Sequence, residues 1–308
     1  MTRSFSKREL TSPGTVLGEV YHYVGNEAKQ TFEIDDSNPQ QVPLHDLRAL
    51  GEVPDLKTDG FTYVSERHVT GIEKMRELSD EHRDALEEDS VELVKELTRA
   101  KTAFSYAAFF RDHTSDDSIR PVPVIHSDLS PEGAKVVKEA LQEVFMESKD
   151  PTDIEIAEKL GGKGVMILNV WRPIHTVQDN PLGFCKWDSL LEDDAMKWKI
   201  GPTDTENGLQ AWRYRKGQRW VYLREQEPHE VWVFMQHDAR AHDGHGINIP
   251  HASFTLQGDQ NQVQPSTRMS FETAIIALVE PPPPEGILSR FTGHIQSYWN
   301  QFKWNDFN

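Results

Sequence analysis

Apolar positions along the chain follow two periods, and the change of period marks two regions. Strand-like segments come first: TVLGEVYHYV (Thr15–Val24), rich in Val and Tyr, and GFTYVSERHV (Gly60–Val69), separated by a polar stretch with the turn signal Asn38-Pro39. From Thr70 to Ala100 the period becomes helical, with Ile72, Met75 and Leu78 on one predicted helix and Val91, Val94 and Leu97 on a second. TAFSYAAFF (102–110) reads as a strand again. PVPVIHSDLSPEGAKVV (121–137) then runs from a β-like segment straight into a helix. Ser130 suits its cap and Pro131 its first position, and Val137, Leu141, Val144 and Phe145 form its apolar face.

Beyond residue 160 the pattern is almost all β. GVMILNVWRPI (164–174) is a nearly unbroken apolar run of the kind a buried strand shows. AWRYRKGQRWVYLR (211–224) predicts a hairpin turning at Lys216-Gly217. EVWVFMQHD (230–238) alternates, with Val231, Val233 and Met235 on one face, and HASFTLQ (251–257) and RMSFETAIIALVE (268–280) complete the set. PPPPEG ends the sheet, and the tail GILSRFTGHIQSYWNQF has the pattern of an amphipathic helix, an expected contact with the body or with a second copy in a homodimer. Helices followed by at least five antiparallel-looking strands predict a mainly β fold with flanking helices, a jelly roll rather than a doubly wound sheet. The whole chain, 1–308, reads as one domain: an arm and first strands to residue 59, helices plus β core over 60–280, and the tail over 281–308.

Composition narrows the function classes. Thirty-three basic against 50 acidic residues leave a net charge of −17, which disfavours nucleic acid and anionic membranes as partners. The single Cys185 allows no intrachain disulfide, and no apolar run is long enough to span a bilayer. A reducing, cytoplasmic setting is therefore expected. Cys185 itself reads as an apolar core filler, and Trp171, Trp187, Trp212 and Trp220 as core residues. No glycine-rich nucleotide motif is present.

The candidate chemistry lies in His126-Ser127-Asp128. Residues i and i+2 of a strand point to one side, so His126 and Asp128 can share an ion. The similar His82-Arg83-Asp84 falls in helical pattern, where i and i+2 diverge, and reads as solvated surface. A third ligand has two sources: the loop HDARAHDGH with His237, His242 and His245, or His251 at the start of a strand. Two histidines and a carboxylate form the facial set of non-haem Fe(II) oxygenases, leaving three positions for a 2-oxo acid and O2. Arg268, with Ser270 two residues on, suits a carboxylate anchor. Arg172 is a second candidate, with Asp188 as an internal alternative partner.

HSDLSPEGA, NVWRPI, NPLGFCKWDSL, EVWVFMQHD and the run from PHASF to RMSFETAIIALV resemble, in that order, the blocks of one group of oxygenases. It includes the hydroxylase component of cephamycin biosynthesis and the gibberellin-desaturase-like and AsaB-like fungal hydroxylases. The resemblance spans roughly residues 60 to 280. It implies a jelly-roll core, Fe(II) held by His126, Asp128 and His251, and 2-oxoglutarate received by Arg268 and Ser270. O2 would be the oxidant and a small molecule of secondary metabolism the substrate. GDQNQVQPST then reads as a loop inserted between His251 and Arg268, with Arg172 as the reserve anchor. Two other classes stay open on the residues: a metal-free jelly-roll binding protein, and a zinc hydrolase on the same ligands, for which no glutamate base of the HExxH type is evident.

Overall fold

The computed structural model describes residues 14–26, 31–72, 75, 78–112, 121–196, 208–257 and 268–281. Strands β1 (Thr15–Val20), β2 (Tyr23–Asn26), β3 (Thr31–Ile34) and β4 (Gln40–Asp46) come first. Two single-turn helices, α1 (Leu47–Leu50) and α2 (Leu56–Asp59), lead to β5 (Phe61–Val64). Helix α3 (Asp80–Thr98) precedes β6 (Thr102–Asp112), and the short β7 (His126–Ser127) precedes α4 (Pro131–Glu147) and α5 (Pro151–Leu160). The remainder is β8 (Val165–Pro173), β9 (Leu182–Cys185), β10 (Gln210–Ala211), β11 (Trp220–Tyr222), β12 (Val231–Asp238), β13 (His251–Ser253), β14 (Thr255–Leu256) and β15 (Met269–Leu278).

Two sheets carry the fold. One has eight strands in the order β10-β7-β13-β9-β11-β4-β1-β14, the other five in the order β5-β12-β8-β15-β6. Pairing is antiparallel throughout both except between β4 and β11. The sheets face each other across a core in which Phe184 and Leu182 of the first meet Phe61, Trp171, Trp232 and Phe234 of the second. The fold is the mainly β, jelly-roll type that the pattern predicts. Strands β1 and β4, two of the first strands expected before residue 60, lie inside the large sheet.

The five-stranded sheet is covered on its outer side by α3, whose Leu93 and Val94 pack with Val170, Val233 and Ile275. On the inner side Val165, Ile167 and Ile276 pack with Leu129, Ala134 and Leu160. Burial on both faces is why β8 and β15 are buried along their full lengths and why β8 reads as a nearly unbroken apolar run. The helix α4 starts as expected, with Ser130 Oγ accepting from Gly133 N at 3.0 Å and Pro131 at its first position.

Several expectations need correction. The first strand splits into β1 and β2, which pair with different partners. The buried face of α3 is Leu86, Ser90, Leu93 and Val94; Leu97 is half out in solvent. Ile72 and Met75 are buried, but residues 73–74 and 76–77 lie outside the described residues, as does the tail from 282. Val144 faces solvent, because the inner face of α4 is set by Ala134, Val137, Leu141 and Phe145. Residues 211–224 are not a hairpin: β10 pairs with β7 and β11 with β9 and β4, and the turn at Gly217 (φ 103°) closes only a local Lys216–Gln218 bridge. Helix α5, capped by Asp150 ahead of Pro151, was absent from the pattern reading.

Candidate active site

Strands β7 and β13 are antiparallel neighbours, and His126 sits directly opposite His251. Cross-strand partners hold their Cβ atoms about 5 Å apart. That pairing brings two residues distant in sequence together, with ring centroids 4.4 Å apart. The chain carries Asp128 to the same side two residues beyond His126. Its carboxylate lies 3.5 Å from His126 Nε2 through Oδ1 and 3.6 Å from His251 Nε2 through Oδ2. One atom from each of these three residues falls within 4.8 Å of the others, the one such group of three among the described residues.

Both rings are fixed from behind. His126 Nδ1 is 2.7 Å from the carbonyl of Val124 and His251 Nδ1 is 3.1 Å from that of Ile249. A carbonyl only accepts, so each Nδ1 donates and each Nε2 is turned toward Asp128 as a potential ligand. Burial disfavours charge on His126, but the hydrogen bond and charge of Asp128 outweigh it and raise its pKa. His251 is pushed down to about 4 by burial, against the pull of Asp128. Burial would raise Asp128, yet His251, His126 and Arg111 hold it at about 2. An ionised carboxylate with two inward Nε2 atoms is a donor set that fits a divalent cation. The cavity at this point, about 20 Å³, has room for a single ion or water.

The opposite sheet forms the other wall with Trp171 of β8, Glu272 of β15, Arg111 of β6 and Arg268, the residue preceding β15. Arg268 is 4% exposed; its Nη1 donates to Ser253 Oγ at 2.7 Å and to the carbonyl of Asn180, and its guanidinium lies 5.4 Å from the Trp171 ring. Ser270 follows on the same strand face, and its hydroxyl is buried with no hydrogen-bond partner among the described residues. Arg172 is elsewhere. It alternates with Trp171 on β8 and so points out of the opposite face, where it pairs with Asp89 of α3 and reaches the carbonyl of Arg67. Asp188, its alternative partner on the sequence reading, instead pairs with Arg219.

The HDARAHDGH loop does not join the cluster. His237 and His245 hydrogen-bond to each other at 2.8 Å through their Nδ1 atoms, with Lys138 Nζ 3.2 Å from His237 Nε2, while His242 is exposed. The ten residues 258–267, read as an inserted loop, lie outside the described residues. Two larger cavities, about 390 and 1020 Å³, share no residue with the three-residue group.

Four site residues escaped the sequence reading. Glu272 is buried in the cavity wall, and its carboxyl pKa is raised by burial and by Asp128. It is held by Asn169 Nδ2 at 2.6 Å, with Arg111 3.5 Å away. Asn169 and Gln236, the other two with Arg111, are both hydrogen-bonded to Asp128. A clue was available only for Glu272, which continues the alternation of Arg268 and Ser270.

A family described as "Oxidoreductase/YMDC permease-like domain" matches residues 10–278, most of the chain. The chain belongs to this oxidoreductase family. Among the described residues no helix is long and apolar enough to cross a membrane. The chain is 26% identical over 239 residues to the Fe(II)/2-oxoglutarate-dependent dioxygenase nvfI of Aspergillus novofumigatus, covering 72% of this chain and 78% of that one. It is 22% identical over 301 residues to the hydroxylase/desaturase efuI of Hormonema carpetanum, covering 89% and 92%. The solved structure of the iron and alpha-ketoglutarate-dependent endoperoxidase NvfI superposes with a TM-score of 0.62 at 20% identity, covering 86% of this chain and 97% of that one, and so shares its fold. These relatives match the oxygenase group that the sequence blocks resemble.

Proposed function

We propose that His126, Asp128 and His251 hold Fe(II), and that Arg268 with Ser270 receives the distal carboxylate of 2-oxoglutarate. The protein is an Fe(II)/2-oxoglutarate-dependent dioxygenase, with O2 as oxidant. It acts on a small molecule of secondary metabolism, by hydroxylation, desaturation or cyclisation. The observation that carries the residue assignment is the cross-strand pairing of His126 with His251, with both Nε2 atoms turned to Asp128. When bound, the iron and its cosubstrate supply the oxidising chemistry; the chain supplies placement and a dry cavity.

Each residue has a part in that placement. The carbonyls of Val124 and Ile249 keep the two imidazoles in the tautomer that exposes Nε2. Arg268, desolvated in the cavity wall, offers a planar fork to a carboxylate, and the Ser270 hydroxyl a further hydrogen bond. Trp171 and Leu182 limit water at the metal end. The single buried Cys185 and the acidic charge are consistent with a reducing intracellular setting and a partner that is neither nucleic acid nor membrane. Arg172 has no part in this proposal, since its charge is used against Asp89.

The test is turnover and metal binding in His126→Ala, Asp128→Ala and His251→Ala, with His242→Ala as control. Each of the first three is expected to abolish Fe(II)-dependent formation of succinate from 2-oxoglutarate while near-UV circular dichroism stays native. If His251→Ala kept normal iron binding and activity while His242→Ala lost both, the third ligand would be in the loop. Bound zinc together with hydrolysis and no succinate would favour the hydrolase.

A further inference from the structure

The carboxylate arm of the metal group is held by a network that ordinary strand alternation does not supply. Gln236, fully buried, donates from Nε2 to Asp128 Oδ2 at 2.6 Å and accepts the Asp128 backbone N–H on Oε1 at 3.1 Å. Asn169 donates from Nδ2 to the same Oδ2 at 2.8 Å and also to Glu272 Oε1 at 2.6 Å. Arg111 stands 3.5 Å from the other oxygen of Glu272. Neither amide can be turned round. A flipped Asn169 would set its oxygen against two carboxylates, and a flipped Gln236 would set its oxygen against Oδ2 and its NH2 against a backbone donor.

Gln236 reaches this position at a β-bulge. On β12, Met235 pairs with Leu168 and His237 with the next residue back, Ile167, so Gln236 is the extra residue. Bulges commonly re-aim a side chain next to an active site. Two amides from two strands thus converge on one oxygen of Asp128, leaving Oδ1 facing His126 without an amide donor.

On the reading that Asp128 binds iron, we propose that Asn169 and Gln236 are positioning residues that occupy Oδ2 and hold Asp128 to one-oxygen coordination, with Glu272 anchoring Asn169. A carboxylate with both oxygens free can chelate and take a second coordination position. Saturating Oδ2 prevents this and keeps three positions open for a two-pronged 2-oxo acid and O2. Of these four residues only Asp128 supplies a ligand atom; Asn169, Gln236 and Glu272 act through it.

The test uses the full chain, Mn(II) as the probe metal, and water-proton relaxation, which counts waters on the bound ion. Gln236→Met and Asn169→Ser are compared with wild type and with His126→Ala. Outer partners of metal ligands typically contribute 10–100-fold to metal affinity, and each variant is expected to weaken Mn(II) binding by that range. The double variant is also expected to lose about a third of the bound-water relaxation, as three open positions become two. Glu272→Gln, which keeps an acceptor for Asn169, is expected to lose less affinity than Asn169→Ser. Native circular dichroism of the metal-free variants separates loss of positioning from loss of fold, and the two substitutions lie on different strands, so misfolding of one leaves the other as the test. Wild-type affinity in folded Gln236→Met or Asn169→Ser, or wild-type relaxation in the folded double variant, would overturn the proposal, provided His126→Ala loses Mn(II). Unchanged Mn(II) binding by His126→Ala would instead overturn the metal assignment itself.

Discussion

Replacing Arg268 tests the proposed cosubstrate anchor, and the expected size of the effect follows from the surroundings. Arg268 is 4% exposed. Burial, reinforced by the charge of Arg111, lowers its pKa to about 9, against the pull of Asp179 and Glu272. At neutral pH it is still a cation, held where water solvates it poorly. An arriving carboxylate therefore meets a desolvated, forked donor, and truncating one partner of such a pair costs about 2–5 kcal/mol. That corresponds to a loss of 2-oxoglutarate affinity of about 30-fold to several thousand-fold. Arg268→Lys is expected to recover only part of it, since an ammonium cannot make the two-pronged contact. Ser270→Ala removes a single hydrogen bond and is expected to cost about 1 kcal/mol, roughly five-fold.

The assay is calorimetric titration of 2-oxoglutarate into Mn(II)-loaded protein, which reads binding without turnover. Arg172→Ala is the internal control. Its guanidinium is 1% exposed and joined to Asp89, which also takes a 2.8 Å bond from Arg67 Nε. Removing it leaves Asp89 with Arg67 as its remaining partner, at a cost to stability of about 1–3 kcal/mol, while 2-oxoglutarate affinity is expected to hold. Should folded Arg172→Ala lose 2-oxoglutarate binding and Arg268→Ala keep it, the anchor would lie on β8 and the assignment by strand face would be refuted.

Three further outcomes are expected. His237 and His245 are pushed down to about 3 and about 4, chiefly by burial, with Lys138, Asp238 and Asp243 facing the pair. A depressed histidine pKa means the unfolded chain takes up the proton first, so this stability is complete above about pH 6.5 and is lost as pH falls toward the folded values. Between pH 7.5 and 5.0 one such histidine accounts for about 2 kcal/mol at 1.36 kcal/mol per pH unit; urea midpoints of wild type and His245→Phe at the two pH values measure it, and equal losses in both would count against the pair. Gly133→Ala would place a Cβ 2.2 Å from the carbonyl oxygen of Gly208, so an overpacking cost of about 1–3 kcal/mol is expected in thermal melts, with no change meaning that the contact yields freely. Cys185 is fully buried and its thiol is pushed up to about 12 by burial, so a thiol reagent is expected to label it only after denaturation, and rapid native labelling would contradict its role as core filler.

The grouping of His126, Asp128 and His251, the proposed metal ligands, was legible because its geometry is local to strands. His126 and Asp128 are two apart on one strand side, and His251 opens a strand whose neighbour proved to be β7. The alternation of 268 and 270 likewise placed the anchor candidates, and carried one step further it reaches Glu272. The same parity rule, applied to β8, separates Trp171 from Arg172 once either residue's face is known; the sequence did not show which face looked inward, so both arginines stayed candidates. The supposed hairpin over 211–224 failed for the complementary reason: a turn signal at Lys216-Gly217 fixes a local bend, but strand partners are chosen by the sheet, and β10 and β11 found theirs elsewhere.

Least legible was the support around Asp128. Asn169 sits in what reads as an apolar run, where a single amide in a buried strand marks only a need for partners, not which ones. Gln236 lies one residue beyond Met235 in a run whose alternation looks regular, and a bulge has no signature in the apolar pattern when the residues on both sides are buried. Both side chains matter only once β8 and β12 are adjacent and face β7 across the core. A half-buried carboxylate that must stay ionised is stabilised by donors from whatever packs over it, and here those donors come from the other sheet. The candidate ligands are thus read along single strands, whereas the hold on Asp128 is a property of the packed sheets, and it is the second that substitutions at Asn169 and Gln236 would expose.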